Sequence, residues 1–207
     1  MIVLVDYGMG NLRSVEKAFE AQGAAPKLTS DPADIEKADK IILPGVGAFG
    51  QAMHELKKRK LADVLKEKIL AGTPYLGLCL GLQLLFSSSE EGNVKGLGIL
   101  PGRVKRFKGN LKVPHMGWNT LTLKQSHCPL MEDVRRDDYF YFVHSYYAAP
   151  EEKGDVLAVT RYGTDFCSAV RRDNIFATQF HPEKSQVAGQ RIVHNFAAYA
   201  GAACASC

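Results

Sequence analysis

Tyr75-Leu-Gly-Leu-Cys79-Leu-Gly81-Leu-Gln83 is the stretch on which the reading of this chain turns. A four-residue β run, Tyr75–Leu78, leads into a helical pattern over 80–86. Between them stands Gly77-Leu-Cys79-Leu-Gly81, the spacing of a G-x-S-x-G nucleophile elbow with sulfur in place of the hydroxyl. The spacing has a steric reason. The nucleophile sits on a sharp strand-to-helix turn, and glycines two residues away on either side remove side chains that would collide there. A helix N-terminus favours thiolate over thiol, and the Leu80 N–H then faces a developing oxyanion. The competing reading is a buried structural cysteine between two packing glycines.

Working outward, the first half alternates strands and helices. Ile2–Val5 is an unbroken apolar strand, and Asn11 can cap a helix with Leu12, Val15 and Phe19 on its apolar face, closed by Gly23. Asp31-Pro32 starts a second helix. Lys40–Leu43 is a strand broken by Pro44-Gly45, and residues 49–70 are amphipathic, as one helix or two. From 96 to 171 the pattern is strand after strand, with turns at Pro101-Gly102, 108–110 and 151–154; 139–143 and 155–162 are the clearest strands. A buried strand at 175–180 and a helix at 190–200 follow. The expected fold is a single α/β domain over residues 1–201. It has a largely parallel central sheet flanked by helices and a smaller antiparallel β excursion. Residues 202–207 form a short tail expected to be disordered.

Composition agrees with a globular chain. Of 207 residues, 46% are hydrophobic and 23% charged, which excludes collagen-like and disordered classes. The net charge of +4 is too small and too scattered to argue for nucleic acid. No apolar run has the length of a membrane span, and the strand-like Met1–Gly8 start lacks the pattern of a signal peptide. Five cysteines at irregular spacing make a complete disulfide framework improbable and point to a reduced, cytoplasmic setting. Cys204-Ala-Ser-Cys207 is formally a C-x-x-C pair, but it lies in a small-residue tail with no second pair. There is no H-E-x-x-H and no paired C-x-x-C, so no metal site and no cofactor is expected.

A thiol nucleophile needs a base, and six histidines are available. His54 and His194 sit in helical patterns and His127 in a polar loop. His144 ends an aromatic strand but has no acid after it to orient its ring. His181 stands in Gln179-Phe180-His181-Pro182-Glu183, just past a core strand, at the edge where ligands bind in open α/β sheets. Glu183 can hold one ring nitrogen and leave the other for sulfur. The chain order Cys79, His181, Glu183 then forms a nucleophile, a base and an orienting acid.

GLCLGLQ followed by HPE about a hundred residues later resembles the class I, or triad, glutamine amidotransferases. Asp6-Tyr-Gly-Met-Gly-Asn-Leu12, Pro44-Gly-Val-Gly-Ala-Phe49, Pro114-His-Met-Gly-Trp-Asn119, Tyr141-Phe-Val-His-Ser-Tyr-Tyr147 and Thr178-Gln-Phe-His-Pro-Glu-Lys-Ser185 narrow it to something similar to the glutaminase subunits of imidazole glycerol phosphate synthases. The resemblance implies glutamine hydrolysis to glutamate and ammonia, with ammonia passing to a separate (β/α)₈ cyclase subunit in histidine biosynthesis. A chain of this length leaves no room for such a barrel, which takes about 250 residues. By the same resemblance Cys79, His181 and Glu183 are catalytic, and Leu80, Val46 and Gly47 serve the oxyanion. Gln83, Glu91 and the Ser145, Tyr146 and Tyr147 backbone contact substrate, and Asn11, Trp118, Tyr141 and Lys184 face the partner of a heterodimer.

Three alternatives remain open at this level: an amidotransferase subunit serving another pathway, a catalytically silent partner-binding scaffold, and a thiol esterase of the α/β-hydrolase type. The last would place its acid before its histidine; here the acid follows.

Overall fold

The computed structural model describes residues 1–201; the Cys204/Cys207 pair and the tail expected at 202–207 lie outside them. Fourteen strands and six helices follow in chain order: β1 (Ile2–Val5), α1 (Leu12–Glu20), β2 (Lys27–Thr29), α2 (Pro32–Glu36), β3 (Lys40–Leu43), α3 (Phe49–Lys58), α4 (Leu61–Leu70), β4 (Tyr75–Leu78) and α5 (Leu80–Gln83). Then come β5 (Phe86–Ser89), β6 (Val94–Lys95), β7 (Leu100–Arg106), β8 (His115–Asn119), β9 (Thr122–Leu123), β10 (Phe140–His144) and β11 (Tyr146–Pro150). Last are β12 (Val156–Tyr162), β13 (Thr164–Arg172), β14 (Ile175–Thr178) and α6 (Gln186–Ala198). No described helix is long and apolar enough to cross a membrane.

The parallel part of the sheet has the order β2-β1-β3-β4-β14, and the antiparallel excursion continues it as β13-β11-β7. Alternation along each strand divides the core into two layers. Val3, Val5, Ile41, Leu43, Tyr75 and Ala177 face α3 and α4; Leu4, Ile42, Leu76, Leu78 and Phe176 face α1 and α6, where Phe19 meets Phe196 edge-on at 6.4 Å. Asp31 caps α2 by accepting from the Ala33 N–H at 2.9 Å, with Pro32 at the first helical position.

Several local expectations are corrected. Asn11 holds the N-cap position of α1, but its side chain makes no capping bond. Of the one helix or two expected over 49–70 the chain forms two, because Lys60 adopts φ 60° between them. The elbow helix stops at Gln83, and Phe86 already pairs with Leu100. Pro101-Gly102 is inside β7, not a turn; a Cβ on Gly102 would lie 2.5 Å from the Ala149 carbonyl. The last helix begins four residues earlier than expected, at Gln186.

A second, two-stranded sheet pairs β10 with β8, with Tyr141 opposite Trp118 and His144 opposite His115. The two imidazoles meet at 3.0 Å inside a shell of Phe107, Phe142 and Phe166, and His115 stacks on Tyr162 at 4.1 Å. Burial depresses the proton affinity of both rings. His115 falls to about 4; His144 falls to about 3, with His115 and His181 adding repulsion.

Two outcomes follow from this packing. Gly81→Ala drives a methyl to within 1.9 Å of the Leu43 carbonyl and lowers unfolding free energy by roughly 1–3 kcal/mol or more, read by urea titration. The histidine pair gives an acid-sensitive stability. An unfolded chain takes up protons below about pH 6.5 while the folded rings stay neutral, so stability falls as pH drops from there toward about 4. His115→Phe flattens that slope by up to one proton, measured by urea midpoints at pH 7 and pH 5.

Candidate active site

Cys79 stands one residue beyond β4 and His181 three beyond β14, and these strands are parallel neighbours in register Leu78 to Thr178. The site is therefore at the carboxyl edge of the sheet. Cys79 has φ 52° and ψ −100°, its N–H donating to the Thr178 carbonyl at 2.7 Å. This strained turn holds because the flanking main chains touch: Cβ atoms on Gly77 and Gly81 would lie 2.7 Å from the Gly81 carbonyl and 1.9 Å from that of Leu43.

His181 is pinned from both sides. Its N–H donates to the Tyr141 carbonyl at 2.9 Å, and Ser185 Oγ donates to its carbonyl at 2.6 Å while accepting from the Tyr141 N–H at 3.0 Å. Nδ1 lies 2.8 Å from Glu183 Oε1, and both side chains are nearly inaccessible to solvent. Nε2 is buried with no partner in hydrogen-bond geometry, and Glu183 Oε2 is likewise unpaired. Burial works against an imidazolium here, but the Cys79 sulfur and the Glu183 carboxylate outweigh it and raise His181 to about 10.

A cleft of about 430 Å³ opens over the sulfur, lined by Val46, Gly47, Cys79, Leu80, Gln83, Glu91, Pro114, Val143, His144, Ser145 and Tyr146. Of the residues singled out from sequence, Val46, Gly47, Leu80, Gln83, Glu91, Ser145 and Tyr146 thus come together around Cys79. Tyr147 does not. It points to the other side of β11, packs 4.7 Å from Phe107 and is absent from the cleft wall. Glu91 is no solvated surface acid: its Oε2 accepts from the Phe49 N–H at 2.8 Å, at the start of α3. The Leu80 N–H is engaged by the Gly45 carbonyl at 3.3 Å, so the Pro44–Gly47 segment presents an acceptor, not a donor, to the elbow. Behind it the buried Tyr7 hydroxyl has no partner; a Cβ on Gly45 would sit 2.2 Å from it. Burial, then the charge of Cys79, raises the proton affinity of that hydroxyl.

His144 is spoken for. Its Nδ1 donates to the Tyr146 carbonyl at 2.8 Å and its Nε2 meets His115. His54, His127 and His194 are exposed. Trp118, 46% exposed, meets Tyr141 edge-on at 5.8 Å, and Lys184 Nζ lies 6.0 Å from the Tyr141 ring centre; Asn11 is exposed at the start of α1. Cys128 and Cys167 are buried free thiols away from the cleft.

Two participants escaped the sequence reading. Gln179 is fully buried, donates from Nε2 to Cys79 Sγ at 3.5 Å and accepts from Gln83 Nε2 at 3.1 Å. Ser185 ties the His181 turn to β10. Gln179 carried a usable signal: it is the one amide in the buried strand ending at 175–180, and a buried amide must find partners.

Comparison with known proteins agrees with this geometry. The glutamine amidotransferase class-I family matches residues 3–199. The imidazole glycerol phosphate synthase subunit HisH of Syntrophotalea carbinolica is 52% identical over 204 residues, covering 95% of this chain and 98% of that one. Its counterpart in Synechococcus elongatus is 51% identical over 205 residues, 98% and 94% of the two chains. Among solved structures, a glutamine amidotransferase superposes with TM-score 0.75 at 20% identity over 95% of this chain and 98% of that one. PurLQS of Thermotoga maritima gives 0.73 at 18% over 95% and 96%; at such identities the likeness is one of fold. The chain belongs to the class-I glutamine amidotransferases, and within them to the family of the imidazole glycerol phosphate synthase HisH subunits.

Proposed function

We propose that this chain hydrolyses glutamine to glutamate and ammonia, and that it delivers the ammonia to a (β/α)₈ cyclase subunit forming imidazole glycerol phosphate in histidine biosynthesis. The observation that carries the chemistry is the strained Cys79 turn beside a buried His181–Glu183 pair at 2.8 Å. The observation that carries the pathway is half-identity to HisH subunits over nearly the whole chain.

In this reading the Cys79 thiolate attacks the side-chain amide carbon of glutamine. His181, held protonated by Glu183, gives its proton to the departing nitrogen, and ammonia leaves a γ-glutamyl thioester. Water then attacks the thioester as His181 takes the proton back, and glutamate is released. Glu183 orients the ring and steadies the imidazolium. Glu91 and Gln83 line the cleft where the substrate's ammonium rests.

The oxyanion needs donors. The Leu80 N–H becomes one only when it is freed from the Gly45 carbonyl. Gly45 and Gly47 flank Val46, and glycine-flanked peptides reorient at low cost. Movement of this segment on docking of the partner would couple glutamine hydrolysis to an acceptor that is ready for ammonia. Trp118, Tyr141 and Lys184 form a clustered aromatic and cationic patch suited to that partner.

Cys79→Ala abolishes glutamine hydrolysis while the complex with the cyclase subunit still consumes added ammonium; glutamine turnover surviving in that variant sinks the assignment. Glu183→Gln lowers kcat roughly 10²–10⁴-fold with a smaller change in KM, read by steady-state glutamate release. Trp118→Ala weakens association with the cyclase subunit by about 2 kcal/mol, close to thirtyfold in Kd by titration calorimetry; an unchanged Kd removes Trp118 from the interface.

A further inference from the structure

Tyr7 stands two residues past β1, fully buried, and its hydroxyl has no hydrogen-bond partner. Burial raises its proton affinity, so the group keeps its proton and remains a donor. An unpaired buried hydroxyl carries its full desolvation cost, which a phenylalanine of the same shape would not. Tyr75 packs in the same core layer and is equally buried, but its hydroxyl donates to the Gly81 carbonyl at 2.8 Å.

The Tyr7 hydroxyl lies against Gly45. A Cβ on Gly45 would sit 2.2 Å from that oxygen and 2.9 Å from Leu80 Cβ, so hydroxyl, segment and elbow meet at one point. The loop after β1 follows the same segment further. A Cβ on Gly47 would lie 2.9 Å from Met9 Cε, and one on Gly10 would lie 3.8 Å from Gly45 Cα. Gly8 and Gly10, at φ 86° and 130°, bend the loop along this course. Gly45 itself is buried, while Val46, Gly47 and Ala48 are exposed. Its carbonyl accepts from the Leu80 N–H at 3.3 Å. A carbonyl that leaves this N–H without leaving the interior needs another donor, and Tyr7 Oη is a spare one beside it. The Cys79 sulfur is near enough to act on the hydroxyl through its charge, but it is not a hydrogen-bond partner.

We infer that Tyr7 is a positioning residue for glutamine hydrolysis: when the Leu80 N–H is released to the oxyanion, the Tyr7 hydroxyl donates to the freed Gly45 carbonyl and holds it off the elbow. The inference rests on the glutaminase reading above and on its requirement that the Leu80 N–H be freed. The hydroxyl is idle in one position of the segment and bonded in the other. Its interaction therefore counts toward the balance between the two positions and not toward the resting fold.

Tyr7→Phe removes the hydroxyl and keeps the ring. With the full chain saturated by the cyclase subunit, kcat for glutamine hydrolysis falls about tenfold, and KM changes by less than about threefold. In the free chain the urea midpoint of Tyr7→Phe stays level or rises, because the resting fold loses no bond. Tyr75→Phe does lose a bond, to the Gly81 carbonyl, and its midpoint falls. Alkylation of Cys79 by iodoacetamide, followed on its peptide by mass spectrometry, keeps the wild-type rate in Tyr7→Phe, since displacement of iodide by sulfur builds no oxyanion.

A kcat equal to the wild type overturns the inference and leaves the glutaminase reading intact. A midpoint that falls in Tyr7→Phe as it does in Tyr75→Phe, or a Tyr7→Phe chain that does not fold, overturns it too, because the hydroxyl then has work in the resting fold. Slower alkylation moves the action of the hydroxyl to the sulfur and has the same result. Failure of the underlying reading looks different: the wild-type complex turns over no glutamine, or Cys79→Ala still does, and the inference falls with it.

Discussion

The contact between the elbow and the main chain of β3 is the constraint on which the site depends. Gly81 lies so near the Leu43 carbonyl that no side chain fits between them, and Gly45 and Gly77 are confined in the same way by Tyr7, Leu80 and Gly81. Three bare backbones in contact let α5 descend onto the sheet, and the turn between β4 and α5 is thereby forced to φ 52° at Cys79. A non-glycine residue there costs on the order of 1–3 kcal/mol. The surrounding strands, buried on both faces, offset it. The same turn sets Cys79 at the carboxyl edge beside β14, from which His181 follows.

Satisfied and unsatisfied polar groups are distributed unevenly through the interior. His115 and His144 are paired with each other, with Asn119 and with a carbonyl, and they stay neutral. Four buried polar side-chain atoms among the described residues lack partners, and three of them, Tyr7 Oη, His181 Nε2 and Glu183 Oε2, surround the elbow. Apart from Ser168 Oγ, the described interior pairs its buried polar side-chain atoms elsewhere and leaves them open around Cys79. The neighbouring histidine pair is the useful contrast. It has the same residue type and similar burial, but no carboxylate, and its proton affinity shifts in the opposite direction.

The elements that build the carboxyl edge were legible because each has a local cause: the apolar run of β1, the Asp31-Pro32 start of α2, the Gly77–Gly81 spacing, and the acid two residues after His181. Boundaries failed where the cause is tertiary. Pro101-Gly102 reads as a turn, yet it continues β7 because β11 supplies its partners. Residues after Gln83 keep helical periodicity, yet Phe86 is drawn into the sheet beside Leu100. Tyr147 was grouped with its neighbours in sequence, but strand alternation turns it into the aromatic layer around Phe107. Gln179 escaped because its partners lie 96 and 100 residues away, and no spacing rule reaches that far.

That separation has a consequence for how the site is born. β14 lies between β4 and β13, so everything from β5 to β13 is threaded between the thiol and its imidazole. As the chain is synthesised, Cys79 is made early, while Gln179, His181 and Glu183 arrive with the last strand and the turn after it. The residues proposed to act together are thus assembled in the same step that closes the topology, and a chain ended before β14 holds Cys79 without Gln179, His181 or Glu183 beside it.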